Sequence, residues 1–405
     1  MNITIYESRE SANRLAPISL TRPIFELRCG CFSFIERIYR LRPEASITLF
    51  VRNELVEITK SKFPNFIINP ELAIEGLWLD GGVLWNEEAL QVLEKQEVNF
   101  ISNDGHFLGG NLSSEDVEKW IKTGGPVETT PNFEGIDYNI DSIKFLWDCV
   151  NINGKVIEQD SKFFDVGTIK GQIDEGVHVL NSKNIYVDTE TKIRRGVIID
   201  ADSGPVIIEK NTIINPGAYI EGPLHISEGC VINAGSKILR NTSIGKGCKI
   251  GGEIAESIFQ GWTNKQHDGF LGHSYLGEWV NIGAGTNNSD LKNNYKTLNM
   301  LINDQWINTK SLFVGVFIGD HSKSAIGTRF NTGTSVGVAC NIAVNGFPPK
   351  RIPSFSWLVG DKKSKYKFDK FSETATVVKN RRGESFLTEE ENLFRLIAEE
   401  TIFEV

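Results

Sequence analysis

Residues 208–250, IEKNTIINPGAYIEGPLHISEGCVINAGSKILRNTSIGKGCKI, carry an isoleucine at every sixth position from Ile208 to Ile250. Four residues after most of these isoleucines stands a small side chain, as at Thr212, Ala218 and Cys230. A hexapeptide repeat is typical of a parallel β-solenoid, in which each hexad forms one short strand and one turn. Three hexads complete a triangular coil, and the isoleucines point into its narrow core. The repeat therefore predicts a β-helix over residues 176–349.

The hexad phase is interrupted twice along the chain. After a two-residue slip we expect it to resume at Ile258, Phe270, Leu276 and Ile282, and later at Ile318, Ser324, Phe330, Val336 and Ile342. Residues 287–311 fit no hexad and are polar. They are predicted to form a loop inserted between coils, a position that often carries function.

Residues 1–150 follow a different pattern, in which strand and helix signals alternate. Strands are predicted at 2–6, 46–51 and 76–80, with a helix around Phe34–Leu41 and another that begins at Ser114. This alternation indicates an α/β domain, whose ligands bind at the carboxyl ends of the strands. The loop at 7–23, after the first strand, is thus the first place to look for a site.

Two further segments complete the predicted organisation. Residues 151–175 are interpreted as a linker, and residues 350–405 as a basic tail that ends in a short helix. Thr388 and Glu391 have the spacing of a capping box at the start of that helix.

Composition excludes several classes of function. The net charge is −9, which disfavours a nucleic-acid partner. The sequence has no apolar run long enough to span a membrane and no signal peptide at its start, so we expect no membrane association and a cytoplasmic location. The six cysteines suit buried, reduced thiols, because Cys29 and Cys31 have no second pair at zinc-site spacing.

The stretch HDGFLGHSYLGEWVNIGAGTNNSDLKNNY, residues 267–295, resembles the bacterial bifunctional N-acetylglucosamine-1-phosphate uridyltransferase/glucosamine-1-phosphate acetyltransferases. The whole chain looks like a divergent, alternative branch of that family, with sugar nucleotidyltransferase and hexapeptide-repeat acyltransferase domains. The resemblance implies a Rossmann-like nucleotidyltransferase domain followed by a left-handed β-helix. It also implies a homotrimer, UDP-N-acetylglucosamine metabolism and a role in cell-envelope biosynthesis.

The resemblance assigns roles to residues of the β-helix. His267 stands fourteen residues before Asn281, as the family's catalytic histidine does, and would accept the proton of the sugar amine. Asn281 would contact the sugar or the acyl group. Phe270 replaces the family's tyrosine, and Asn294 with Tyr295 matches its Asn-Tyr pair; these three and His273 are assigned to substrate binding. The family's phosphate-binding lysine and arginine have no evident counterpart.

Residues 14–23, RLAPISLTRP, resemble the first loop of sugar-nucleotide pyrophosphorylases. The glycine-rich part of that loop is altered, since Glu10 stands where a glycine would let the backbone approach phosphate. Three arginines are expected to contact phosphates instead: Arg14, Arg22 and Arg28. Asp80 is the candidate ligand for the Mg²⁺ of nucleotidyl transfer. A degenerate domain without this activity is the alternative.

The segment 350–382 holds ten Lys and Arg against three Asp and Glu. We assign it to the phosphates of acetyl-CoA, through Lys362, Lys363 and Lys365, with His321 as a further cofactor contact. Two rival functions remain open. His267, His273 and His321 suggest a zinc site like that of γ-class carbonic anhydrases, and the chain is alternatively a non-catalytic nucleotide-sugar sensor.

Overall fold

The structure is a computed structural model that describes residues 1–71, 74–103, 105–131, 133, 135–303 and 305–403. Two compact units share the chain. Unit 1 comprises Met1–Leu27, Phe32–Phe145 and Leu387–Phe394, and unit 2 comprises Arg28–Cys31, Leu146–Phe386 and Arg395–Val405. All six cysteines are free and buried, as predicted.

The first part of the chain alternates short strands and helices. In chain order they are β1 (Asn2–Tyr6), α1 (Arg9–Arg14), β2 (Arg28–Cys29), β3 (Phe32–Ser33), α2 (Phe34–Leu41), β4 (Ser46–Phe50), α3 (Val56–Lys62), β5 (Ile67–Ile68), β6 (Gly76–Asp80), α4 (Glu87–Glu94), β7 (Phe100–Asn103), β8 (His106–Leu112), α5 (Ser114–Lys122), β9 (Ile136–Asp137) and α6 (Leu146–Asp160), with 3₁₀ turns at Ile18–Thr21, Ile24–Glu26, Asn53–Leu55 and Ser161–Phe163.

Unit 1 is built on one mixed sheet with the order β5-β4-β1-β6-β8-β7-β9. Strands β5, β4, β1 and β6 are parallel, and β8 runs antiparallel to β6 and β7. Aromatic side chains fill one core cluster, in which the Tyr6 ring lies 5.1 Å from Trp120 and 6.3 Å from Trp78. Because Tyr6 pairs with Asp80 in register, the carboxyl ends of β1 and β6 meet at one edge. The predicted α/β class is confirmed.

Helix starts in unit 1 follow side-chain caps. Ser33 and Glu36 form a reciprocal capping box at α2, the helix expected from apolar spacing. Helix α5 begins at Ser114 as predicted, and Ser113 before it caps the helix by accepting the N–H of Asp116. At α8 (Thr388–Glu400) the Glu390 side chain accepts the Leu387 N–H, one residue before the predicted pair.

Unit 2 continues with short strands: β10 (Gln172–Ile173), β11 (His178–Leu180), β12 (Ile185–Val187), β13 (Lys192–Ile193), β14 (Ile198–Asp200), β15 (Val206–Ile208), β16 (Ile213–Ile214), β17 (Tyr219–Glu221), β18 (Leu224–Ile226), β19 (Val231–Ile232), β20 (Lys237–Ile238), β21 (Thr242–Ile244), β22 (Lys249–Ile250), β23 (Glu253–Ala255), β24 (Ile258–Gly261), β25 (Asn264–Lys265), β26 (Phe270–Gly272), β27 (Tyr275–Glu278), β28 (Asn287–Asn288), β29 (Asn299–Ile302), β30 (Gln305–Asn308), β31 (Val316–Ile318), β32 (Lys323–Ser324), β33 (Arg329–Phe330), β34 (Thr334–Val336), β35 (Asn341–Ala343), β36 (Arg351–Ile352), β37 (Ser356–Val359) and β38 (Lys362–Lys365). A 3₁₀ turn at Ser182–Asn184 and the helix α7 (Phe368–Asn380) complete the set.

Strands β10 to β27 stack into three parallel sheets, and every third strand joins the same sheet; β31, β34 and β36 extend the sheet that contains β27. Ile214 pairs with Ile232, and Ile232 with Ile250, so one coil takes three hexads. The isoleucines of the repeat are buried in a single column of apolar side chains. This is the hexapeptide-repeat β-helix that the sequence predicts, and the predicted fold class is confirmed.

The first interruption of the repeat shortens one coil. Ile250 pairs with Lys265, fifteen positions on, and Phe259 and not Ile258 takes the place below Ile244. Leu271 and not Phe270 then pairs with Ile254. The predicted phase is therefore wrong by one residue at these two strands. The prediction assumed two extra residues, whereas this coil has fifteen residues and is three shorter than the regular coil of eighteen. Leu276 and Ile282 lie in the core as expected.

Three segments differ from the predicted organisation. The proposed linker begins inside α6, whose buried face includes Val150, Val156 and Ile157. The inserted segment contains an antiparallel hairpin, β29 with β30. The basic segment is no loose tail, since it forms β36, β37, β38 and α7. None of the described helices is both long and apolar enough to cross a membrane.

Candidate active sites

Unit 1 has a pocket at the carboxyl ends of β1 and β6, with a volume of about 150 Å³. Its polar lining includes the predicted Arg14 and Asp80, together with Ser8, Glu10, Ser11 and Lys144. The pocket lies where ligands bind in α/β sheets. Arg14 and Asp80, 66 positions apart in the chain, thus share the site that the sequence placed after the first strand.

Asp80 is the acidic group of this pocket with a perturbed pKa. Burial raises the pKa of Asp80 to about 6, against the opposing effects of the Gly82 N–H and of Arg14. The Gly82 N–H donates to Asp80 Oδ1 over 2.7 Å, which fixes the carboxylate. Mg²⁺ is commonly held by one or two carboxylates plus substrate phosphates. Asp80 is therefore a fitting magnesium ligand that is mostly ionised at pH 7.

The three predicted arginines lie in different surroundings. Arg14 lines the pocket and forms an ion pair of 2.5 Å with Glu10. Arg22 is 1% exposed and does not line the pocket. Arg28 belongs to unit 2, where its Nη1 donates to the Cys31 carbonyl and its backbone N–H to Tyr275. The shared assignment to phosphates therefore needs correction, because burial withdraws Arg22 and Arg28 from this pocket.

A buried carboxylate organises the loop that carries Arg14. Glu7 is fully buried and accepts the Arg52 Nε–H over 3.0 Å and the Ile24 N–H over 3.0 Å. Arg52 also donates to the carbonyls of Ser19 and Arg22. These hydrogen bonds fix the conformation of the RLAPISLTRP segment, which contains no glycine. The pair was not predicted from the sequence, because Glu7 and Arg52 follow different strands and no motif links them.

In unit 2, Asn281 belongs to an outward-facing column of polar residues on one face of the β-helix. The register runs Lys249, Asn264, Asn281, Lys323 and Asn341, each beside the next. Their chain neighbours point inward, as Ile250, Ile282 and Ile342 show by their burial. Asn281 therefore has a lysine next to it and another two strands away.

The C-terminal end of α7 closes a pocket over this column, which we call the α7 pocket. Its volume is about 360 Å³, and its lining residues are Lys249, Trp262, Asn264, Gln266, Trp279, Asn281, Lys323, Val378, Arg381 and Arg382. Arg382 Nη1 donates to Asn264 Oδ1 over 3.2 Å, and its guanidinium lies 5.6 Å from the Trp262 ring. The basic segment thus meets the β-helix through Arg381 and Arg382.

His267 follows directly after this face. Its side chain is exposed, and its carbonyl oxygen accepts the Lys265 Nζ–H over 2.5 Å. Lys265 is 1% exposed, at a position where the repeat has isoleucine, and burial lowers its pKa to about 8. Gln266, between them, lines the α7 pocket. Lys265 was not predicted to lie in the core, because the predicted hexad phase placed residue 264 at that position.

The other two histidines of the zinc hypothesis, His273 and His321, have separate surroundings. His273 Nδ1 lies 2.8 Å from Asp290 Oδ2, and its ring stacks on Phe313 at 4.9 Å. His321 is 2% exposed and stacks on Trp279 at 6.1 Å. The part of the chain that the structure describes contains no group of three His, Cys, Asp or Glu placed to hold one metal ion. The zinc hypothesis therefore gains no support from a single chain.

The remaining predicted residues lie at the surface. Tyr295 is 71% exposed, and the neighbouring Asn294 side chain accepts the Lys296 N–H. Phe270 is half-buried on β26, with its N–H bonded to Asn287. The three lysines assigned to acetyl-CoA lie exposed on β38: Lys362, Lys363 and Lys365. None of the six residues lines the α7 pocket.

Comparisons with known proteins agree with the resemblance. Residues 3–168 match the family model described as "Sugar nucleotidyl transferase". A "Bifunctional sugar-1-phosphate nucleotidylyltransferase/acetyltransferase" of Sulfurisphaera tokodaii is 31% identical over 209 residues, 49% of this chain and 50% of that protein. A "Bifunctional protein GlmU" of Methanococcus aeolicus is 33% identical over 207 residues, 51% of this chain and 48% of that protein. The chain thus matches about half the length of these relatives, and the predicted resemblance is confirmed.

Solved structures of acyltransferases are more distant. A UDP-N-acetylglucosamine acyltransferase matches at 11% identity and a TM-score of 0.30, over 49% of this chain and 72% of that one. The enzyme from Campylobacter jejuni gives 11% and 0.21, over 57% and 96%. Likeness of this size carries no argument about function.

Proposed function

We propose that this chain is a transferase of sugar-phosphate metabolism that carries out two reactions. Unit 1 transfers a nucleotidyl group to a sugar 1-phosphate, and the β-helix transfers an acetyl group from acetyl-CoA to an amino sugar phosphate. The observation that carries the proposal is the combination of a sugar nucleotidyltransferase match over residues 3–168 with the His267–Asn281 spacing on a hexapeptide-repeat β-helix.

The acyl-transfer step uses an exposed imidazole. The amine nitrogen attacks the thioester carbonyl, the new amide bond forms, and the bond to the coenzyme A sulfur breaks. His267 accepts the amine proton, and that proton passes to the leaving thiolate. Asn281 offers an amide to the sugar or to the acyl oxygen. The bonds from Lys265 to the His267 and Gly251 carbonyls support this role, because they hold the backbone that carries the imidazole.

Nucleotidyl transfer is assigned to the pocket of Arg14 and Asp80. An oxygen of the sugar phosphate attacks the α-phosphorus of the nucleotide, and pyrophosphate leaves. Asp80 would hold Mg²⁺, which neutralises developing phosphate charge when bound. Arg14 would contact the triphosphate once its ion pair with Glu10 opens.

A second candidate function for unit 1 is binding without catalysis. Arg22 is buried, and Glu10 pairs with the one predicted arginine that lines the pocket. Both features lower the positive charge available to a triphosphate. They favour a unit that recognises a nucleotide sugar while the β-helix alone carries out chemistry.

We also propose a homotrimer that acts in the cytoplasm. Large apolar side chains exposed on unit 2 support the assembly: Tyr295, Trp306, Ile326 and Phe347. Free cysteines suit a reducing compartment. Light scattering coupled to size-exclusion chromatography would measure the mass, and a monomer at micromolar concentration would contradict the trimer.

One screen with two readouts tests both reactions on the full chain. Thiol release is followed with acetyl-CoA and amino sugar phosphates, and pyrophosphate release with nucleoside triphosphates, sugar 1-phosphates and Mg²⁺. We expect both signals. Thiol release without pyrophosphate release supports binding alone in unit 1, and absence of both signals across the common substrates would overturn the proposal.

A further inference from the structure

We infer that the α7 pocket binds the phosphate groups of a phosphorylated small molecule through Lys249, Lys323, Arg381 and Arg382. The ligand class follows from charge and geometry. Its identification with a substrate of the acyl reaction rests on the proposed function.

The charge of the pocket is not balanced by the protein. Four of its ten lining residues are cationic and none is acidic. Among the described residues, none of these four cations forms an ion pair. Burial lowers the pKa of Lys249, and the nearby Arg382 and Arg381 lower it further. Mutual repulsion of this kind is relieved when an anion enters, and a phosphate group supplies more than one negative charge.

Neutral hydrogen bonds hold two of the cations in place. Lys323 Nζ donates to the His321 carbonyl over 3.0 Å. Arg382 donates to Asn264 and to the Gly247 carbonyl. Such acceptors orient a charged group without neutralising it. The cations are therefore positioned before the ligand arrives, which reduces the ordering cost of binding.

The walls and size of the pocket suit a molecule larger than a free ion. The rings of Trp262 and Trp279 stack with their centroids 5.1 Å apart and their planes 3° from parallel, and both line the pocket. A volume of about 360 Å³ is within the usual range for small-molecule sites. In the same column, the Asn341 Nδ2 is buried and makes no hydrogen bond within the described structure. Asn341 does not line the pocket itself, but it lies one strand beyond Lys323, which does.

Two proposed substrates share this chemistry, namely coenzyme A and an amino sugar 1-phosphate. Asn281 lines the pocket and His267 follows one residue after Gln266 on its rim, so either phosphate would lie near the proposed acyl site. The family's phosphate-binding lysine, which has no evident counterpart in the sequence, is then replaced by Lys249 of β22, Lys323 of β32 and the two arginines that follow α7.

Calorimetric titration of the full chain tests the inference with three probes: inorganic pyrophosphate, coenzyme A and glucosamine 1-phosphate. We expect pyrophosphate to bind, and Arg381→Gln with Arg382→Gln to weaken it at least tenfold. Two single variants keep the test interpretable if the double variant fails to fold. Arg381→Gln, at an exposed site, and Lys249→Gln should each weaken binding severalfold. Lys183→Gln with Lys192→Gln, two exposed lysines of unit 2 outside the pocket, is the matched control and should change affinity less than twofold.

The outcomes separate the two proposals. If coenzyme A binds more tightly than glucosamine 1-phosphate, and the double arginine variant loses that binding, the pocket serves the acyl donor. If glucosamine 1-phosphate binds more tightly and is lost in the same variant, the pocket serves the acceptor. Pyrophosphate binding without any thiol release would sink the acyl-transfer function and leave the pocket standing. No pyrophosphate binding at millimolar concentration, or equal loss in the Lys183/Lys192 control, would overturn the inference.

Discussion

The Lys265 Nζ lies 2.5 Å from the carbonyl oxygen of His267 and 3.1 Å from that of Gly251, inside the column that isoleucine fills in neighbouring coils. The buried amine at this position forms hydrogen bonds with backbone carbonyls and contributes no apolar packing to the core. It ties the turn that presents the exposed imidazole to the strand below it.

Lys265→Met should therefore impair the acyl reaction through position. Methionine fits the apolar column but removes the donor to the buried Gly251 carbonyl and to the part-buried His267 carbonyl, which costs roughly 1–3 kcal/mol of unfolding free energy. We expect kcat for thiol release to fall about tenfold with a smaller change in KM. Lys192→Met, at the exposed position of β13, is the matched control. Unchanged kcat in Lys265→Met would show that the turn holds itself.

His267→Ala removes the proposed general base. Thiol release should fall by roughly 10²- to 10⁴-fold, because a positioned base is worth that much. The fold should persist, since the side chain is exposed. His178→Ala, also exposed and on β11, should retain full activity. If His267→Ala keeps wild-type thiol release, the base is another group, and His273 beside Asp290 is the next to test.

Asp80→Asn should separate stability from metal use in unit 1. Burial raises the folded-state pKa of Asp80 to about 6, above its ordinary value of 3.8. Protonation thus favours the folded state, and this contribution is lost as pH rises from about 4 to 6. The neutral asparagine should raise unfolding free energy at pH 7 by roughly 1–2 kcal/mol, while magnesium-dependent pyrophosphate release disappears. Thermal unfolding measured at pH 4 and pH 7 checks the first effect; a variant less stable at pH 7 than the wild type would contradict it.

Anion binding in the α7 pocket should weaken as pH rises. Burial lowers the pKa of Lys323 to about 8, despite the opposite effect of Cys340. Burial also lowers the pKa of Lys249. Sulfate keeps its charge between pH 7 and pH 9, so its affinity reports the protein alone and should drop roughly tenfold. Lys323→Arg should make the decline shallower, and an equally steep decline would assign the effect to another group.

The isoleucine column should dominate the stability of unit 2. Ile232→Ala deletes a fully buried side chain between Ile214 and Ile250 and should cost about 2–5 kcal/mol. Val231→Ala, one residue earlier and facing outward, should cost less than about 1 kcal/mol. Denaturant unfolding of the two variants measures the difference. Equal losses would mean that Ile232 does not occupy the inward position of its hexad.

The β-helix and the α/β class were predictable because both depend on local periodicity. An isoleucine at every sixth residue can be buried in only one way, and the pattern is visible without any long-range contact. The spacing of His267 from Asn281 is likewise a property of the chain alone. The predicted core positions Ile258 and Phe270 are wrong by one residue, since Phe259 and Leu271 occupy those places. The error arose because the sequence alone does not show whether an irregular coil has lost or gained residues.

Tertiary structure decided which charges share a site. Nothing in the sequence brings Arg381 and Arg382 to Lys249, more than 130 positions earlier, or singles them out from Lys362 and Lys363 in the same basic segment. Their meeting depends on how α7 packs against stacked strands. Arg22 keeps its place in the motif but is buried, and its carbonyl accepts a hydrogen bond from Arg52, 30 positions later in the chain. Periodic burial can be predicted from residues close together in the sequence, whereas the electrostatics of a pocket are set only when elements distant in the chain pack together.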